Sequence, residues 1–235
     1  MNYYILSHQP KTNGILSPGL NGKTVKNYQA FFKNGKCTLT TFYDKDYEFD
    51  YLIPISFGEI KDEPQIIVDF HVWIGLEIPQ EGLFYPISEK FKLLLESYNL
   101  PNHKFYKARV LFKGEFHTYF VWHLLYDNYF EYIDFSKTKY NNLDSWRELE
   151  QESLKIKQFN SYEEMNDYSR KNWNLSFNYE QLVMKPNFRE LDYCYVTLLG
   201  GLVSERLKEA IEAAGLTGIS FKPLPIPIEF SDEVD

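Results

Sequence analysis

One stretch of sequence occurs twice, 116 positions apart, and it constrains the fold more than any other feature of the chain. The first copy is ISEKFKLLLESYNLPNHKFYK at residues 87–107, and the second is VSERLKEAIEAAGLTGISFKP at residues 203–223. The copies align without a gap, and six positions are identical: Ser88/Ser204, Glu89/Glu205, Lys92/Lys208, Glu96/Glu212, Leu100/Leu216 and Phe105/Phe221. We therefore expect the same local structure to be built twice.

Each copy predicts a capped amphipathic helix that leads into a strand. Ser88 and Ser204 stand where a side chain caps the first helical turn. Asn99 and Gly215 stand where a residue in the left-handed conformation ends a helix. Between them, apolar residues recur at i, i+3, i+4 and i+7, namely Phe91, Leu94, Leu95 and Tyr98 in the first copy and Leu207, Ala210, Ile211 and Ala214 in the second. The spacing predicts two helices of about 11 residues.

The rest of the chain favours strands, because its apolar residues are unusually aromatic, with 19 Tyr, 19 Phe and 4 Trp in 235 residues. Short strands are predicted at residues 3–7, 128–138 and 191–199, and residues 65–74 (QIIVDFHVWI) are predicted to form the clearest central strand. A hairpin is predicted to turn at Lys113-Gly114.

Two further helices are predicted from capping boxes, one over residues 145–159 and one that starts at Ser161. Strands and helices are mixed without regular alternation, so the predicted class is α+β, with a mixed or antiparallel sheet and several short amphipathic helices. We expect a β-rich region at 1–84, an α+β domain at 85–225 and an acidic, extended, partly mobile tail at 226–235. The same pattern also fits one continuous fold.

The charge is unevenly distributed along the chain. Residues 1–43 hold five lysines and no acid, which leaves 20 basic against 33 acidic residues in the remainder, within a net charge of −8. An acidic body repels nucleic acid and anionic membrane and attracts a basic partner. An acidic surface also serves solubility alone. No apolar run is long enough to span a bilayer and no signal peptide is recognisable, so we expect a cytoplasmic protein.

Residues 44–50 (DKDYEFD) place four acids on one face of an extended segment: Asp44, Asp46, Glu48 and Asp50, with Tyr47 between them. Such a stripe suits the occupation of a basic site on a partner. It equally suits an edge strand that is charged to prevent edge-to-edge pairing. These five residues are the predicted partner-binding site.

No common catalytic or phosphate-binding motif is present, and no cofactor or metal site is predicted. The two cysteines, Cys37 and Cys194, are predicted to be buried thiols. His117 and His123 are six residues apart on one predicted strand, about 20 Å if it is extended, which is too far for one metal ion. Asp69 and His71 share a strand face and form a possible acid/base pair, although an exposed polar pair with Phe70 inward is the stronger interpretation.

The second copy, within GGLVSERLKEAIEAAGLTGISFKPL, resembles the C-terminal signature of the immunity protein 11 family, whose members neutralise polymorphic bacterial toxins. Its residues Ser204, Lys208, Glu212, Thr217, Gly218 and Phe221 fall on that signature. The first copy and YIDFSKT at residues 132–138 are similar to the earlier part of the family domain, so that the resemblance covers about residues 85–225. Pro101-Asn102 replaces Thr217-Gly218 in the first copy, which puts a shared role for the two turns in question.

The resemblance implies a protein without enzymatic activity that binds a cognate toxin inside the producing cell, the toxin being encoded by a neighbouring gene. It transfers no catalytic or contact residue. A different class of function is an enzyme, such as a hydrolase or glycohydrolase that reverses a toxin's modification with Asp69, His71 or Asp134. A third is a non-catalytic adaptor domain.

Overall fold

The fold is α+β, as predicted, with mostly antiparallel sheets and three α-helices in the described part of the chain. A computed structural model describes residues 2–8, 11–12, 15–16, 19–21, 52–55, 67–71, 73–74, 84–124, 126–144, 156–172, 175–196 and 198–231. Its strands are β1 (Tyr3–His8), β2 (Lys11–Thr12), β3 (Ile15–Leu16), β4 (Gly19–Asn21), β5 (Ile53–Ile55), β6 (Trp73–Ile74), β7 (Phe84–Ser88), β8 (His103–Phe112), β9 (Glu115–Leu124), β10 (Lys139–Asp144), β11 (Ile156–Lys157), β12 (Leu175–Met184), β13 (Tyr193–Val196), β14 (Gly200–Ser204), β15 (Ile219–Pro223) and β16 (Ile228–Phe230). The α-helices are α1 (Glu89–Leu95), α2 (Tyr162–Lys171) and α3 (Glu205–Ala213), and two 3-10 helices span Tyr126–Tyr132 and Pro186–Glu190.

The first copy of the repeat forms a strand–helix–strand unit, β7-α1-β8. β9 lies between β7 and β8 and is antiparallel to both, which makes β7 and β8 parallel to each other. In the register, Phe120 of β9 lies between Ile87 and Lys107. β8 and β9 form the predicted hairpin, and Lys113 (φ 51°) and Gly114 (φ 85°) give the turn the two positive φ angles of a type I′ turn.

The second copy forms the same unit, β14-α3-β15, with the N-terminal strand β1 in the central place. Tyr4 of β1 lies between Val203 and Pro223, which are the positions equivalent to Ile87 and Lys107. The two units therefore have one topology, but the first takes its central strand from the following hairpin and the second from the start of the chain. The two units belong to different sheets, β7-β9-β8 and β13-β14-β1-β15.

The identical positions of the repeat make the same contacts in both units. The hydroxyls of Ser88 and Ser204 accept from the N–H of Phe91 and Leu207, each at 3.1 Å. Lys92 and Lys208 form ion pairs with Glu96 and Glu212 at 2.6 and 2.8 Å. Their ammonium groups also lie 5.4 and 5.6 Å from the ring centroids of Phe105 and Phe221, which are equivalent.

The two helices end differently, and both are shorter than predicted. At the end of α3 the N–H of Leu216 donates to Ile211 O at 3.3 Å and that of Gly215 to Glu212 O at 2.9 Å, with Gly215 at φ 62°. This is a Schellman motif, as the glycine predicts. After α1 the chain leaves through overlapping turns, such as Ser97 N–H to Leu94 O at 3.1 Å. Asn99 is not among the described residues with positive φ, so its predicted left-handed role is wrong.

Two hydrophobic cores lie on opposite faces of the sheet β13-β14-β1-β15. The first is shared by both repeat helices, since it contains Phe91 and Leu95 from α1 and Leu207 and Ile211 from α3, together with Trp122 of β9. The second lies between this sheet and the sheet β11-β10-β12-β16 and contains Tyr3, Cys194 and Leu202. Because successive residues of β1 point into different cores, the strand is needed on both faces.

Several predictions outside the repeat need correction. The helix predicted over 145–159 is wrong at its end, where Ile156–Lys157 is a strand, and residues 145–155 lie outside the described residues. The strand predicted over 128–138 is wrong, because Tyr126–Tyr132 is a 3-10 helix. β16 pairs in parallel with β12. The tail is therefore extended as predicted, but as far as Phe230 it is held in a sheet.

The helix that starts at Ser161 is confirmed as α2. The Ser161 hydroxyl accepts from the N–H of Glu164 at 3.3 Å, and the Glu164 carboxylate accepts in turn from the N–H of Asn160 at 2.8 Å. Among the helices that the structure describes, none is long and apolar enough to cross a membrane. The division of the chain at residue 84 stays a prediction, although β1 lies between two strands of the second unit.

Candidate functional site

The predicted acidic stripe, Asp44, Asp46, Tyr47, Glu48 and Asp50, lies outside the described residues, as does Cys37. Its role in binding therefore stays a prediction.

Asp69 and His71 do not lie on an exposed strand face. The segment that was predicted to be a central strand makes an isolated bridge, Phe70 to Ile87, and β6 lies at the edge of a three-stranded sheet. His71 is fully buried, and its Nε2 accepts a hydrogen bond from the backbone N–H of Val68 at 3.2 Å. The interpretation as an exposed polar pair is wrong, because the chain departs from a regular strand here.

Asp69 instead connects the start of α1 to the end of α3. Its Oδ1 accepts from the Ser88 hydroxyl at 2.6 Å. Its Oδ2 accepts from both the backbone N–H and the hydroxyl of Thr217, each at 2.8 Å. The backbone O of Asp69 also accepts from Ser88 N–H at 2.8 Å. This carboxylate is therefore committed to holding two helix ends together.

Asp192 makes the equivalent connection from the start of α3 to the end of α1. Its Oδ1 accepts from the Ser204 hydroxyl at 2.7 Å, and its Oδ2 accepts from Asn99 N–H at 2.9 Å. Arg206 adds an ion pair through two guanidinium nitrogens. Burial alone would raise the pKa of the Asp192 carboxyl, but the hydrogen bonds from Arg206, Ser204 and Asn99 outweigh it and hold that pKa below its usual range.

The groups with the largest pKa shifts are buried in the cores. Burial raises the pKa of the Cys194 thiol to about 12 and lowers that of His123 to about 4 with help from the Lys104 charge. Burial also raises the phenol pKa values of Tyr3, Tyr85, Tyr119, Tyr140 and Tyr193. Every one of these shifts favours the neutral form, which suits a packed interior rather than a nucleophile or a general base near pH 7.

Two open clefts flank Glu131, at the end of the first 3-10 helix. The first cleft has a volume of about 340 Å³ and lies against the turn that follows α1; its walls are Asn99, Leu100, Pro101, Asn102, Glu131, Tyr132, Asn187, Glu190 and Leu191. The second cleft, of the same volume, lies against the start of α2; its walls are Phe130, Glu131, Ile133, Asp134, Phe135, Ser136, Asn160, Ser161, Tyr162, Glu163 and Lys185. We call the surface that contains both of them the Glu131 face.

Among the residues that the structure describes, the first cleft is lined by two acidic side chains, Glu131 and Glu190, and by no basic one. The pKa of Tyr132 is raised, first by partial burial and also by electrostatic interactions with Cys194, Glu131 and Glu190. Neither glutamate side chain has a hydrogen bond or an ion pair within the described ranges. Both residues are exposed, so two carboxylates without a described ion pair line one polar cleft.

The second cleft is partly apolar. One of its acidic side chains, Asp134, already forms a hydrogen bond and an ion pair within the protein. Asp134 accepts from the Ser136 hydroxyl at 2.6 Å, lies 3.9 Å from the Lys137 ammonium and accepts Thr138 N–H through its backbone O at 2.9 Å. Its carboxylate therefore organises the turn before β10. Lys185 and Glu163 bring one charge of each sign to the rim.

The sequence pattern missed the residues of the first cleft, since they come from three separate parts of the chain. One signal was present: Pro101-Asn102 departs from Thr217-Gly218 at a turn of the repeat, and that turn forms a wall of the cleft. In the described part of the chain, no group of three or more His, Cys, Asp or Glu side chains has the geometry to hold a metal ion. Comparison with protein families and with curated proteins gives no match to this chain.

Proposed function

We propose that this protein binds a toxin inside the producing cell and neutralises it by stoichiometric association, with the Glu131 face as a docking surface. The resemblance of residues 203–223 to an immunity protein signature supports the class of function. The observation that supports this choice of surface is the pair of open clefts around Glu131, the first of which is lined by the carboxylates of Glu131 and Glu190.

The repeat itself supports a separation between scaffold and recognition. Its identical residues cap helices, form ion pairs and pack the first core, and Asp69 and Asp192 hold the helix ends. These side chains are already engaged in contacts within the protein, so we do not expect them to form the contacts with a partner. The Glu131 face lies largely outside the identical positions, and it combines acidic groups with Tyr132, Phe130 and Tyr162, the side-chain types that anchor protein interfaces.

The net charge of −8 makes a basic partner the favoured one. Complementary charge raises the rate of association and selects against acidic partners. A stable complex buries roughly 1,600 Å² in total, so that the two clefts would form the centre of a larger contact area. No specific observation supports the hydrolase alternative, because Asp69, His71 and Asp134 form backbone or side-chain contacts that stabilise local structure.

The test is co-expression with the product of the neighbouring gene, followed by co-purification and a growth assay. We expect the wild-type chain to bind that product in a 1:1 ratio and to relieve its toxicity. The variant Glu131→Lys/Glu190→Lys should bind at least about tenfold more weakly and protect less. The control Glu115→Lys/Glu209→Lys has the same charge change at exposed sites outside both clefts and should behave like wild type.

If the wild-type chain neither binds the neighbouring product nor reduces its toxicity, the proposed function is wrong. If it protects and the two double variants are equally effective, the function stands and the Glu131 face is not the docking surface. Protection without any stable complex would favour the enzyme alternative.

A further inference from the structure

The two turns that follow the repeat helices have different surroundings. The turn after α3 is closed by the Asp69 segment, to which Thr217 forms hydrogen bonds and against which Gly218 packs. A Cβ atom at Gly218 would lie 2.5 Å from Phe70 O, so that no ligand has room there. The turn after α1 holds Asp192 through Asn99 alone, and Pro101-Asn102 borders the first cleft instead.

The first cleft is therefore bordered by the first copy of the repeat only, at a turn where the two copies differ in sequence. Its polar walls converge from three directions. Asn102 comes from the turn, Glu131 and Tyr132 from the first 3-10 helix, and Asn187 and Glu190 from the second. The backbone of the second 3-10 helix is fixed at this point, since Asn99 Nδ2 donates to Glu190 O at 2.8 Å.

We infer that the first cleft is a binding site for the guanidinium group of an arginine side chain of the partner. This inference rests on the proposed function for its partner, but it assigns a ligand chemistry that can be tested without one. The guanidinium is a planar cation with five N–H donors, and it suits carboxylates in two walls, amide oxygens beside them and an aromatic ring. The first cleft holds each of these: Glu131, Glu190, Asn102, Asn187 and Tyr132.

Other ligand classes fit less well. An anion would meet two carboxylates, neither of which forms an ion pair with a described cation. An apolar group would displace water from a mainly polar surface without replacing its hydrogen bonds. A lysine ammonium has the right charge, but it is a compact, strongly hydrated ion with three donors, and it matches carboxylates and amides on separate walls less completely.

The test uses the full chain and three short acetylated, amidated peptides that differ at one residue: arginine, lysine or citrulline. Binding is followed by the chemical shifts of the backbone amides. We expect the arginine peptide to bind in the millimolar range, several-fold more tightly than the lysine peptide. Citrulline, which has a similar shape and no charge, should not bind measurably. The shifted amides should cluster at Asn102, Glu131, Tyr132, Asn187 and Glu190.

The variant Glu131→Gln/Glu190→Gln should lose at least about tenfold in affinity for the arginine peptide, with unchanged thermal stability. The control Glu115→Gln/Glu209→Gln should bind like wild type. Equal binding of arginine and citrulline, or shifts spread evenly over the acidic surface, would overturn the inference. Arginine binding by a chain that fails to protect against the neighbouring product would leave the site intact and reject the proposed function. Protection without arginine binding would reject the arginine site and leave the proposed function standing.

Discussion

The two repeat units form their strands and helix starts with the same contacts, but their helices end in different turns. Each has a strand on either side of a central antiparallel strand, a serine-capped helix, a lysine over an aromatic ring and an aspartate that joins it to the other unit. At the ends of the helices this equivalence stops. The second unit has a Schellman motif and a closed turn, whereas the first has overlapping turns and an open cleft. The contacts that the two units share lie at positions where the copies are identical, and the open cleft lies where the copies differ in sequence.

The largest effect is expected from the shared core. Phe91 and Leu207 are equivalent positions and are fully buried in the same core. Phe91→Ala should lower the free energy of unfolding by about 3–5 kcal/mol and Leu207→Ala by about 2–5 kcal/mol. Because α1 and α3 pack into one core, each variant should unfold in a single urea transition recorded by both tryptophan fluorescence and circular dichroism. Two separate transitions would show that the units are independent.

The two turns should respond differently to added volume. Gly218→Ala introduces a Cβ atom 2.5 Å from Phe70 O at a residue with φ 81°, so both strain and contact oppose it. We expect a loss of about 3 kcal/mol. Asn102→Ala, at an exposed position of the open turn, should change stability by less than about 0.5 kcal/mol. Similar losses from both changes in chemical denaturation would contradict the distinction between a closed and an open turn.

The two aspartates should differ in how much they stabilise the fold. Asp192 is buried and binds Arg206, whereas Asp69 is half-buried and has hydroxyl and N–H partners. Asp192→Asn should cost about 2 kcal/mol at pH 7, and Asp69→Asn about 1 kcal/mol. Arg206→Lys is a matched test of the fork geometry at Asp192, and it should cost less than Asp192→Asn.

The pH dependence follows from the depressed pKa of Asp192. The ionised carboxylate is favoured in the folded state, so its stabilisation is complete above the pKa of the unfolded chain, about 3.9. It is lost as the pH falls through the lower folded-state pKa. Urea titrations of wild type and Asp192→Asn should therefore converge below pH 4. A difference that stays constant down to pH 2 would assign the effect to packing.

Small and nearly equal effects are expected at the two helix caps, where the units are most alike. Ser88→Ala and Ser204→Ala should each cost about 1 kcal/mol, since each hydroxyl accepts one N–H and donates to one aspartate. The two losses should agree within the error of thermal unfolding. A clearly larger loss at Ser204 would indicate that the buried Asp192 depends on its serine more than Asp69 does.

The sequence predicted the features that depend on neighbouring residues. Serine caps, the Lys113-Gly114 turn and the glycine at the end of α3 are local signals, and each one has the predicted structure. The failures depend on contacts between distant residues. Nothing near His71 indicates that its segment leaves the strand geometry, and nothing near Tyr129 indicates a 3-10 helix, because burial in the second core stabilises that conformation. The clefts require three distant segments to meet.

The place of β1 between β14 and β15 affects how the protein is made. Tyr4 pairs with Val203, so the central strand of the second unit is synthesised long before the two strands that flank it. At a synthesis rate of roughly 5–20 residues per second, that segment waits about 10–40 s for its partners. Until residues 200–223 are made, β1 lacks both of its neighbouring strands, and an unpaired strand is a template for pairing with another chain.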